Sequence, residues 1–225
     1  MGPGFSVVSA YAIRPYRPGD RAAVRRICIE TAWLGRPGPR RIGDGWVWAE
    51  YWTRYYTDRE QDSSWVVAGR HDGRVAGYLT GTADAARVER YVPFLLPGIV
   101  WRVVRKRLLR RREPRGAILS LLASAWRGET NLSARVLQAF PATFHVNLLP
   151  AARGQGLGSV LLETFLARMR RLGVPGVHAT PSSVNRAIAA ALARAGFRRL
   201  SSRPTRAFAH VDARPMTIDT WAKTL

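Results

Sequence analysis

The chain has 225 residues, 47% of them hydrophobic, which suits one globular domain, or one domain with an insertion, across residues 1–225. Lysine and arginine total 36 against 15 aspartate and glutamate, a formal net charge of +21. That field draws anionic ligands and polyanions and says nothing about fold. The lone cysteine, Cys28, leaves no intrachain disulfide and argues against a thiolate-held metal, so it reads as a small buried hydrophobe in a reducing, cytoplasmic setting.

Residues 5–13 are apolar but lack the basic leader of a secretory signal. Met1-Gly2 with Ser6 fits a loose myristoylation pattern that Pro3 speaks against. Ala10 to Arg17 alternates as a first strand and ends at Pro18-Gly19. Asp20 is suited to cap a helix through about Trp33, with Val24, Ile27 and Cys28 inward. Gly35 to Gly45 is a Pro/Gly/Arg loop. Asp44 starts a second helix rich in aromatics, from Trp46 and Trp48 to Tyr51, Trp52, Tyr55 and Tyr56, which either bury in the core or line a pocket. Ser64–Arg70 and Arg74–Thr82 form a hairpin about Asp72-Gly73, and Gly77 marks a bulge or a close backbone approach.

Val92 to Val104 is apolar, is interrupted by Pro93, Pro97 and Gly98, and leads into a run of cations from Arg102 to Arg112. It is too short and broken to span a bilayer. Three readings stand: a helical segment with solvated arginines, a basic amphipathic helix on an anionic membrane surface, or a nucleic-acid contact. No helix-turn-helix, zinc-finger or RNA-recognition pattern accompanies it.

Phe144 to Leu149 reads as a strand with His145 and Asn147 alternating into it, and Pro150 ends the pairing. Arg153-Gly154-Gln155-Gly156-Leu157-Gly158 then turns into a helix with Val160, Leu161, Phe165, Leu166, Met169 and Leu172 on one face. Gly173 is suited to stop it, with Pro175 beyond. A strand, a glycine turn and a helix start make an anion site. The first N–H groups of a helix lack partners, the helix dipole is positive there, and glycine admits close approach. Arg153 can add a bidentate contact. The spacing is neither a Walker loop nor the dinucleotide fingerprint. Gly176 to Thr180 reads as the next strand and Asn185 to Phe197 as a helix. Arg198–Ser202 and Thr205–Ala213 read as two closing strands joined at Arg203-Pro204.

Arg153-x-x-Gly156-x-Gly158 after Leu148-Leu149-Pro150 resembles the acyl-CoA pyrophosphate loop of the GCN5-related N-acetyltransferases. Asn185 to Phe197, NRAIAAALARAGF, resembles that family's helix beginning near an Asn and ending in Gly-Phe. The resemblance is clear over residues 143–197. It implies an α/β fold with a mixed, mostly antiparallel sheet of six to seven strands flanked by helices. The fourth and fifth strands, about 141–149 and 177–181, would splay, and residues 84–137 would be a helical insertion. It implies acetyl-CoA as cosubstrate and no metal. Pantetheine would pair near Leu148 and Leu149, the pyrophosphate would sit on the amides of residues 154–159 (Gly154, Gln155, Gly156, Leu157, Gly158 and Ser159) beside Arg153, and Asn185 would bond the pantetheine arm. The first two helices and their loop would wall the acceptor pocket.

The implied reaction is direct attack of an amine on the acetyl thioester. His145 is the leading base, because imidazole titrates near neutrality, and Asn147 could orient the acceptor or a water. His178 and Glu129 are further candidates. The family's general-acid Tyr falls at Leu192, which cannot donate a proton. A non-catalytic acyl-CoA-binding module, and a basic protein using its insertion on membrane or nucleic acid, are the alternatives.

Overall fold

The structure, a computed structural model, describes residues 10–33, 44–129, 131–209, 212 and 214–225. The readings of residues 5–9, of Met1-Gly2 with Ser6, and of most of the loop 35–45 lie outside the described residues. β1 (Tyr11–Pro15) precedes α1 (Arg21–Glu30) and α2 (Gly45–Asp58). β2 (Ser64–Gly69) and β3 (Val75–Thr82) follow, then α3 (Ala85–Arg105), α4 (Arg112–Trp126) and α5 (Ala134–Ala139). The chain closes with β4 (Ala142–Leu148), α6 (Leu157–Arg171), β5 (Gly176–Ala179), α7 (Arg186–Arg194), β6 (Arg198–Thr205) and β7 (Met216–Thr224).

The strands make one sheet in the order β1-β2-β3-β4-β5-β7-β6. Among the described strands only β4 and β5 run parallel, and they pair at two positions, Ala142 with Val177 and Thr143 with His178. Beyond Thr143 the strands part, while β4 stays paired with β3 as far as Leu148. The mixed, mostly antiparallel sheet with splayed fourth and fifth strands is therefore present.

Side chains alternate across the sheet, and each face acquires its own core. On one face α6 packs Leu161, Phe165 and Met169 against Leu79, Phe144 and Val177. On the other, α1 packs Val24, Ile27 and Cys28 against Tyr16, Val66 and Tyr78. Gly77 meets both readings made for it. The β2–β3 register slips between Val67 and Ala68, and a Cβ on Gly77 would lie 2.2 Å from Leu148 Cδ2.

Several local expectations are corrected. Asp20 stands at the N-cap position of α1 as expected, but its carboxylate makes no cap bond; it takes two bonds from Arg14, at 2.7 and 2.8 Å, and one from the Arg17 amide, closing a turn just before the helix. The helix stops at Glu30, short of Trp33. The buried face of α6 is rotated from the expected one: Val160 and Leu172 are exposed, and Leu157 and Leu162 are buried instead. β6 runs through Arg203-Pro204 to Thr205, and the last strand is 216–224 rather than 205–213. Proline is tolerated there because β6 is the sheet edge, where a missing N–H costs no ladder bond.

The segment between β3 and β4 is helical, as expected, but α3 continues through Pro93 and Pro97 as 21 residues. No described helix is long and apolar enough to cross a membrane. Among the contacts that tie the segment to the rest of the fold are two made by its charged side chains. Arg102 grips the α2 cap Asp44 with Nε at 2.7 Å and Nη2 at 3.1 Å, and its guanidinium lies over Trp46. Glu129 accepts from Ser124, Thr205, the Arg206 amide and Arg127.

Candidate active site

The anion end of the site is built where β4 stops. Pro150 starts a short turn, Gly154 and Gly156 both take φ of +74°, and Gly156 is the cap residue of α6. A Cβ at either glycine would meet nothing within 4 Å, so these glycines serve backbone conformation and open approach rather than packing. The Ser159 and Val160 amides bond the Gly156 carbonyl. Among the described residues, the amides of 154 to 158 have no protein acceptor. They form a nest of donors at the positive end of a 15-residue helix.

Some of the predicted residues have side chains that are buried or already engaged. Leu157 is buried in the core, so it can offer only its amide. Leu149 gives its N–H to Ala76 and its carbonyl to Ala152. Arg153 folds back, with Nε donating to the Leu148 carbonyl at 2.9 Å, and Gln155 reaches the Ala151 carbonyl. Asn185 caps α7 through Oδ1, 3.4 Å from the Ile188 amide.

Above the parted strands lies a cleft of about 230 Å³. His145, Asn147 and Asn185, predicted separately, all line it, together with Trp33 and Cys28 of the α1 end and Trp48 and Trp52 of α2. The aromatics of α2 thus divide between wall and core. Trp52 stands edge-on to the His145 ring at 4.9 Å, and the buried Tyr56 meets the same ring at 5.7 Å. Burial, with a smaller contribution from nearby His178, lowers the His145 pKa to about 4, so the imidazole is neutral at physiological pH. Asn147 donates to the Tyr78 hydroxyl at 2.8 Å across the β3–β4 pair.

The other two base candidates are occupied elsewhere. His178 is buried, with Nδ1 2.6 Å from the Phe140 carbonyl, and does not line the cleft. Burial would raise the Glu129 carboxyl, but Arg127, the Arg206 amide, Ser124 and Thr205 hold it down at about 2, and its bonds tie the insertion to β6. Leu192 is fully buried in the larger core. Sequence reasoning missed Tyr78, Thr180, Ser182 and Phe208 as cleft residues. Tyr78 could be found only by pairing it with Asn147, which requires the sheet register.

No protein-family model matches the chain. Among solved structures, SsHAT is 32% identical and superposes with a TM-score of 0.73 over 96% of this chain and 98% of that one. The GNAT-superfamily phosphinothricin acetyltransferase of Sinorhizobium meliloti, solved with acetyl-CoA, is 16% identical with a TM-score of 0.58, over 96% and 89%. The Drosophila melanogaster polyamine N-acetyltransferase is 18% identical with a TM-score of 0.60, over 96% and 100%. The chain belongs to the GCN5-related N-acetyltransferase superfamily. The family is one of acyltransferases.

Proposed function

We propose that the protein is an acetyl-CoA-dependent N-acetyltransferase that acetylates a primary amine of a small molecule or protein by direct attack. The observation that carries this reading is the conjunction of two features. β4 and β5 separate after two residue pairs, and five amides without an acceptor among the described residues open beside the parting. The cradle suits a pyrophosphate, and the parting suits an extended pantetheine arm lying along β4.

In the proposed reaction the amine nitrogen bonds to the thioester carbonyl carbon, the C–S bond breaks, and the nitrogen gives up a proton as CoA thiolate leaves. A neutral His145 is a weak base, so it suits accepting that proton after the C–N bond has made the nitrogen acidic. Asn147 is held by Tyr78 and orients the acceptor side. Leu192 supplies no acid, so the thiolate takes its proton from water or from Tyr78, the phenol among the described lining residues. The acceptor end is walled by Trp33, Trp48, Trp52 and Phe208, and no described lining residue is a carboxylate. That wall favours an apolar or singly charged amine over a polyamine.

The test is Gly156→Glu, which adds bulk and negative charge at an open position with φ of +74°. Calorimetry should show acetyl-CoA affinity falling by at least ~100-fold, about the worth of two charge-assisted bonds. Unchanged affinity removes the site. Leu192 also favours a second reading, an acyl-CoA-binding module without turnover. A thiol-release assay over an amine panel separates the two: binding with no release by any amine supports the module.

A further inference from the structure

The helices between β3 and β4 carry a feature that the acyl-transfer site does not use. α3 and α4 are apolar on the faces they turn to solvent. Phe94, Pro97, Trp101 and Val104 recur at spacings of three and four along α3, and all are exposed, Phe94 at 74%. Leu119, Leu122 and Trp126 repeat the pattern on α4, with Trp126 at 90%. The inward faces are filled separately, by Leu95 on α3 and Ala117 on α4, so the outward stripes are not a misplaced core. Between the helices lies a cationic collar. Arg105, Lys106, Arg107, Arg110, Arg111 and Arg112 are all exposed, and Arg105 lies over the Trp101 ring at 4.8 Å. From Ala85 to Trp126 there are ten cations and two carboxylates.

We infer that this helical segment docks the protein on an anionic phospholipid surface. The stripes enter the acyl-chain boundary, and the collar meets the headgroup phosphates. Charge complementarity selects this occupant. A second copy would present the same cationic collar to its own kind, and like charges repel. A nucleic acid would satisfy the collar and leave Val104, Leu119 and Leu122 in water. An anionic bilayer satisfies both halves, because Trp at the interface, aliphatic side chains below and cations beside them are how an amphipathic helix lies in a membrane surface. The inference does not depend on the acyltransfer chemistry.

The experiment is co-sedimentation of the full chain with phosphatidylcholine vesicles, with and without about a third phosphatidylglycerol. The expected result is binding to the anionic vesicles alone, weakened by high salt, with a blue shift of tryptophan fluorescence. Each cation at such a surface is worth about fivefold, so Arg110→Glu/Arg111→Glu/Arg112→Glu should lower vesicle affinity by about 100-fold or more. Leu122→Ser/Trp126→Ser should weaken binding while preserving the response to charge. Both variants should keep the wild-type melting temperature, and Leu122→Ser/Trp126→Ser should also keep acetyl-CoA affinity, which separates lost docking from lost folding. Absence of vesicle binding overturns the inference. So does binding indifferent to Leu122→Ser/Trp126→Ser, which assigns the collar to polyanions such as duplex DNA. Concentration-dependent dimerisation that those serines abolish assigns the stripes to a second copy and also overturns it.

Discussion

His145 shows how placement sets the charge state of one residue. It stands on β4 with the rings of Trp52 and Tyr56 against it, and burial holds its pKa at about 4 rather than the ordinary 6.5. Because the folded value is the lower one, the unfolded chain binds the extra proton between those two pH values. Stability should therefore be undiminished by this group above pH 6.5 and fall as pH drops toward 4, by up to about 3 kcal/mol. His145→Gln should lack that part of the loss, read as the difference between the two proteins' denaturant midpoints across the range. For catalysis, His145→Ala should lower kcat by at least ~100-fold while leaving acetyl-CoA affinity nearly unchanged. Equal turnover at every pH would exclude it as the base. The residue type and its strand were legible in the sequence. Its pKa was not, because the lowering comes from rings on another element.

At the scale of elements, the aromatic wall of the cleft depends on how α2 is held. Asp44 caps α2 by accepting the Val47 amide at 3.1 Å, and the same carboxylate receives Arg102 from α3 through two bonds. One side chain thus ends a helix and joins the insertion to the wall that carries Trp48 and Trp52. Asp44→Ala should cost about 2 kcal/mol, roughly one for the cap and one for the partly buried ion pair. Chemical denaturation measures it, and a change below about 0.5 kcal/mol would show that the junction is incidental. Helix starts and stops read well from local signals: Gly173 ends α6 and Asp44 begins α2 as anticipated. Asp20 and the closing strands did not, for physical reasons. Asp20 was claimed by Arg14 on the preceding strand, and Pro204 reads as a turn unless it is known to sit on a sheet edge.

At the scale of the molecule, the +21 field surrounds a site that would receive a highly anionic donor. Raising ionic strength from ~0.05 to ~0.5 M shortens the Debye length severalfold. The apparent KM for acetyl-CoA should then rise at least ~3-fold with kcat little changed, since steering and surface attraction act before chemistry. A KM indifferent to salt would show that the arginines do not guide the donor. The same arginine excess supports the docking inference, but there its action is confined to one exposed collar rather than spread over the surface.

Local chemistry alone determined the glycine turn after Pro150, the helix that follows it, the hairpin at Asp72-Gly73 and the helical character of the segment after Thr82. Each is set by neighbours a few residues apart, through backbone conformation, capping and side-chain periodicity. Only the folded chain decided that β4 and β5 part after Thr143, that Tyr78 meets Asn147, and that His178 and Glu129 are structural. It also decided that the apolar residues of α3 and α4 face outward as well as inward. Those outcomes depend on register and on which face of each element finds a partner, quantities that join residues far apart in the chain and leave no trace in local spacing.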